Sequence, residues 1–124
     1  KYGFLKSSVC QGLVWCFWHT LLWVVDSDFT DWRAIPYIIS NIVVITSITI
    51  LMNIFLERDN NLIYSMLLHF GFNIFYVFLD ADIGFFEILT ALYLVITPIA
   101  VLVRNKTVEK FLKNTESKER KIEQ

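Results

Sequence analysis

An all-α, polytopic bundle of about four transmembrane helices is what this sequence predicts, and three observations predict it. The 124 residues are 56% hydrophobic and only 19% charged, with a mean hydropathy of +0.53, outside the range of soluble globular chains. The charges are gathered into short clusters instead of being spread along the chain. Between the clusters lie four apolar runs, each close to the ~20 residues that cross a hydrocarbon core of ~30 Å.

The first run, Ser7 to Val25, ends at the polar stretch holding Asp26, Asp28, Asp31 and Arg33. Ile35 to Leu56 follows, closed by Glu57, Arg58, Asp59, Asn60 and Asn61. The third run is Leu62 to Leu79, ending at Asp80 and Asp82, and the fourth is Phe85 to Val103. Stretches such as Ile42 to Ile50 have β-type composition, but open strands leave backbone groups unsatisfied in lipid, so helix is expected. Short polar interruptions make neighbouring helices hairpins. Pro98 is expected to kink the fourth helix, and Gly71 to allow close helix approach. Residues 1–103 then form the membrane part of one domain and residues 104–124 a charged cytoplasmic tail.

Orientation follows the Lys and Arg residues. Lys1 and Lys6 precede the first run, Arg58 separates the second from the third, and seven basic residues from Arg104 to Lys121 follow the fourth. Only Arg33 falls on the other side. Both termini are expected to be cytoplasmic and the first and third loops external. Ionisable residues within the first run, and no small-residue cleavage site after it, exclude a signal peptide. A start at Lys1 suggests a piece of a longer or processed protein.

In the tail, Val108, Phe111 and Leu112 offer a short apolar face for a solvated helix or the lipid surface. Interleaved Glu109, Glu116, Glu119 and Glu123 oppose nucleic-acid binding. Cys10 and Cys16, six residues apart on one run, face opposite ways on a helix and cannot pair with each other. No zinc-type cysteine motif, phosphate loop, nucleophile elbow or internal repeat is present.

Chemistry is therefore sought in the polar groups at membrane depth, where ionisable residues are costly. Both histidines are there. Trp15 stands four residues before His19, and Asn73 four after His69, so each pair shares a helix face. His19 lies about 18 Å along the helix from Ser7 and His69 about 10 Å from Leu62, both near the middle third. The two rings either meet in one buried site or hydrogen-bond between helices as polar groups do in membrane bundles. Glu87 is a further candidate, close enough to the external end of the fourth run to reach water.

The order Trp15-x-x-x-His19 and then His69-x-x-x-Asn73 resembles the motifs of the CPBP or Abi intramembrane proteases, which include the CAAX prenyl endopeptidases. Gly12-Leu13-Val14-Trp15 and Ser65-Met66-Leu67-Leu68, which lead into the two histidines, match the family style. A third family motif, Glu-Glu-x-x-x-Arg, is missing, and in the family it would lie just before a segment like Lys1-Tyr2-Gly3-Phe4-Leu5. The resemblance implies an endopeptidase acting on a membrane-associated protein or peptide, with His19, His69 and Asn73 catalytic and Trp15 supporting. A glutamate outside residues 1–124 would then be the base, and these residues alone would be inactive. His19 and His69 would orient water or bind a divalent metal such as zinc. Asn73 would donate to the oxyanion or hold His69.

The family's eukaryotic members suggest prenylated CAAX substrates, and its bacterial members bacteriocin immunity, peptide maturation or cell-surface regulation. Richness in Ile, Asn, Lys and Phe suits an AT-rich bacterial genome, hence a bacterial plasma membrane. Two other classes stay open: a non-catalytic immunity or scaffold protein, and a transporter or channel piece whose histidines relay protons.

Overall fold

The computed structural model describes residues 3–26, 31–78 and 83–122. Four helices account for nearly all of them: α1 (Phe4–Asp26), α2 (Ala34–Asp59), α3 (Leu62–Phe78) and α4 (Ile83–Ile122). No strand occurs among the described residues. The all-α class and the four elements agree with the four apolar runs. The expected loop residues 27–30 and 79–82 lie outside the described set.

Local chemistry sets the helix ends. Arg33 donates its backbone N–H and its Nε to the Asp31 carboxylate, both at 2.9 Å, which fixes the turn entering α2. Pro36 falls in the first turn of α2, where its missing N–H removes no helical bond. At the other end Asn60 adopts φ 47°, the left-handed cap that Asn tolerates, and its N–H bonds the Leu56 carbonyl at 2.9 Å. Asn61 then accepts from the Ile63 N–H at 2.9 Å and starts α3. The predicted Glu57–Asn61 interruption is thus a two-asparagine reversal.

α2 is the central element: α1, α3 and α4 each pack on it, and among the described residues no Cα of α1 comes within 8 Å of α3, nor any of α3 within 8 Å of α4. The α1–α2 contact uses small residues. Ser8, Gly12 and Cys16, four apart on one face, are all buried, and a Cβ on Gly12 would stand 2.8 Å from the Thr46 Cα. This is the close approach by which small residues join membrane helices. The expectation for Gly71 fails here: nothing lies within 4 Å of a Cβ built there, because α3 and α4 are splayed apart. Polar bonds reinforce α1–α2, with Asn53 Nδ2 donating to Ser8 Oγ at 3.1 Å and to Gln11 Oε1 at 2.9 Å.

The distribution of side chains is that of a protein whose apolar surface faces something other than water. Ser8, Ser40, Asn41, Ser47, Thr49, Ser65 and Thr97 are buried, whereas Phe17 is 80% exposed and Trp18 73%. An exposed apolar surface of this extent marks lipid or partner contact. α2 and α4 are long and apolar enough to cross a membrane, and α3 is a shorter apolar helix. α4 continues without a break through Pro98 and the charged tail, 40 residues in all, which is ~60 Å of helix.

Where α4 leaves its apolar stretch, Arg104 gathers three helices. Its Nε donates to Glu57 Oε2 at 2.7 Å and its Nη2 to Oε1 at 2.5 Å, while the guanidinium lies 4.2 Å over the Phe4 ring. The forked carboxylate pairing is the strong form of this contact.

Candidate functional site

α1 carries Trp15 and His19 on one face, as their spacing requires. The His19 Nδ1 lies 2.8 Å from the Trp15 carbonyl oxygen. A carbonyl only accepts, so Nδ1 carries a proton, and in the neutral ring the lone pair is on Nε2. The two rings sit edge to face, with centroids 6.2 Å apart and planes at 73°.

α3 carries the second pair. Asn73 Nδ2 lies 3.0 Å from His69 Nε2. An amide N–H₂ only donates, so Nε2 accepts and the ring's proton is on Nδ1. The donor edge of the His69 ring is thereby turned away from Asn73.

The two pairs meet through Trp15. Its ring centroid is 4.9 Å from that of His69, with planes tilted by 43°. Trp15 is half-buried and packs on the core cluster of Cys16, Tyr37, Ile45 and Phe86, so the indole is backed by the core on one side and meets His69 on another. Helical spacing made Trp15 a neighbour of His19. It held no information on which residue of α1 would reach α3, and the structure brings His69 to the level of Trp15, four residues before His19.

Glu87 is exposed on α4, away from a buried environment. Among the described residues no three His, Cys, Asp or Glu side chains converge closely enough to hold a metal ion. Two imidazoles, one of them with Nε2 occupied by Asn73, do not make up the three protein ligands that a catalytic zinc takes. The donors of the described residues therefore do not fit a metal centre.

Two polar residues of α2 were not singled out by the sequence reading. Asn53 bonds α1 as described, and buried Asn41 donates to the Tyr37 carbonyl at 3.0 Å. Each interrupts an otherwise apolar run, which was the available signal. A cleft of about 390 Å³ opens between α3 and α4. Leu67, Gly71, Phe72, Phe85, Leu89 and Tyr93 line it, and neither histidine does.

A family model described as type II CAAX prenyl endopeptidase Rce1-like matches residues 1–75. That span contains α1, α2 and α3 as far as Ile74 and Phe75, and with them Trp15, His19, His69 and Asn73. No curated protein and no solved structure matches the chain. Because the match covers more than half of the chain and both histidine motifs, the chain belongs to the Rce1-like family of type II CAAX prenyl endopeptidases.

Proposed function

We propose that residues 1–124 carry part of the active site of an intramembrane endopeptidase, one that hydrolyses a peptide bond in a membrane-associated protein or peptide. The observation that supports this most is the gathering of His19, His69 and Asn73 about one indole within the family-matched segment. Membrane embedding is supported by the exposed apolar surface and by the length and apolarity of α2 and α4. The Lys and Arg distribution supports a cytoplasmic side for both termini.

Hydrolysis needs a water held near the scissile carbonyl, a group to take its proton, and a donor for the oxyanion. In the tautomers set by these hydrogen bonds, His69 has an Nδ1–H donor and the acceptor nitrogen of His19 is Nε2. His69 is suited to hold the developing oxyanion, and His19 to orient the attacking water. Asn73 spends its N–H₂ on His69, which favours a holding role over direct oxyanion donation. We assign no base among the described residues, and no step passes through a metal.

The test is cleavage of a membrane-anchored peptide by the protein as the cell makes it. His19→Ala and His69→Ala should each remove activity, with Glu87→Ala leaving it intact. Full activity in either histidine variant would overturn the reading and favour a non-catalytic membrane role.

A further inference from the structure

Among the described residues, Trp15 meets both histidines. Its carbonyl takes the His19 Nδ1–H at 2.8 Å, and its ring lies 4.9 Å from the His69 ring. The backbones of α1 and α3 give no such link, since among the described residues no Cα pair between them lies within 8 Å. α3 is instead tied to α2, with Ser65 Oγ donating to the Met52 carbonyl at 3.1 Å. That bond lies four residues before His69, so it fixes the start of α3 and leaves the lateral position of the His69 ring to its own contacts. Among the described residues its hydrogen bond is to Asn73, on the same helix, and its ring contact is to Trp15, on another.

The indole is fit to act as a spacer. It is rigid, half-buried, and braced by the cluster of Cys16, Tyr37, Ile45 and Phe86. Behind it the α1–α2 contact cannot slide easily, because Gly12 and Thr46 already meet at the limit of packing. A tilted ring pair at this separation gains dispersion and quadrupole attraction on the scale of ~1 kcal/mol, enough to prefer one placement of His69.

We propose that Trp15 is a positioning residue, whose indole sets the distance between the His19 and His69 imidazoles across a gap that the helix backbones do not close. The proposal rests on the protease reading for its kinetic consequence, but not for its geometric one. A misplacement of ~1 Å at a reacting group can cost ~100-fold in rate.

Two measurements test it. In the protein as the cell makes it, Trp15→Ala should lower kcat about 100-fold with KM within about twofold, and Trp15→Phe should restore most of it. Independently, spin labels at exposed positions 18 and 70, with Cys10 and Cys16 replaced by Ser, should report a longer or broader distance distribution in Trp15→Ala. Trp15→Phe should keep the parent distribution. An unchanged distribution in Trp15→Ala overturns the proposal whatever the activity, as does an unchanged kcat in an active enzyme. If no form of the protein cleaves and the distribution shifts only in Trp15→Ala, the spacing role is supported and the protease reading falls.

Discussion

Gly12 and Thr46 meet so closely that a single added carbon on Gly12 would come within 2.8 Å of the Thr46 Cα. The obstructing atom is backbone, so it cannot rotate away. Gly12→Ala should push α1 off α2 and destabilise the helix pair by ~1–3 kcal/mol, the usual range for overpacking. Gly71→Ala, with open space around it, should change stability by no more than about 0.5 kcal/mol. Unfolding of the two variants in detergent micelles would show the contrast, and equal effects would refute the packing argument.

A second contrast concerns the imidazoles. His69→Ala removes a group assigned to the chemical step and should lower kcat/KM by about 10²–10⁴-fold. Asn73→Ala leaves His69 present but free to take the other tautomer, so activity should fall severely but by less. Asn73→Asp retains an acceptor in place of a donor and should not rescue it, because a carboxylate would draw the ring proton to Nε2. Rescue by Asp equal to wild type would mean that Asn73 does not set the tautomer.

The Arg104 clasp makes a prediction about salt. Glu57 and Arg104 form a forked pair at the polar end of α2 and α4, with the Arg side chain 19% exposed and the Glu side chain 45%. Solvent screening limits such a pair, so the coupling energy from a Glu57→Ala and Arg104→Ala double-mutant cycle should be of order 1 kcal/mol or less and should shrink in high salt. Arg104→Ala alone should cost more than Glu57→Ala, since it also removes the cation lying over Phe4.

pH should act at the entry to α2. Arg33 donates to Asp31 and holds its carboxyl below the ordinary carboxylate range. A lowered folded-state pKa contributes stability above the ordinary Asp pKa, and that contribution is lost as pH falls through the lowered value. Protection of the Arg33 and Ala34 amides, taken relative to their intrinsic exchange rates, should therefore fall on acidification below the ordinary Asp range, and Asp31→Asn should abolish the dependence. The pair is exposed, so the effect should stay local.

How far the sequence led can be judged from these residues. Four apolar runs with polar interruptions were enough for the four helices, because membrane length and backbone satisfaction leave few alternatives. The pairings Trp15 with His19 and His69 with Asn73 were legible because four residues make one helical turn. The meeting of Trp15 with His69 was not, since it depends on how α1 and α3 are each set against α2. Gly71 misled for the same reason: a glycine permits close approach, but only the packing decides whether a neighbour arrives. The Ser8, Gly12 and Cys16 stripe carried the stronger signal, three small residues at one spacing.

Topology is testable without activity. Cysteine introduced near Asp28 or Asp82 should react with an impermeant reagent from outside the cell, and cysteine near Asn60 or Asn114 should not, in a background lacking Cys10 and Cys16. The expectation rests on Arg58 and the basic residues after Val103 staying on the cytoplasmic side. The reverse labelling pattern would invert the orientation.

Residues 1–124 alone should not hydrolyse peptide bonds. Water at neutral pH gives up a proton only to a well-placed acceptor, and among the described residues no third His, Cys, Asp or Glu joins the two histidines in a cluster of metal-site size. Glu57 is committed to Arg104 at 2.7 and 2.5 Å, Asp31 to Arg33, and Glu87 is exposed. A lone imidazole in an apolar layer is a weak substitute for a carboxylate, because charging it there is opposed by desolvation. His69 is further constrained by Asn73, which occupies Nε2 and would have to release it before that nitrogen could accept a proton from water. The measurement is cleavage of a membrane-anchored peptide by purified residues 1–124, shown free of longer protein, with His69→Ala as control. Turnover that depends on His69 would mean that the two imidazoles suffice, and would move the role of base onto His19.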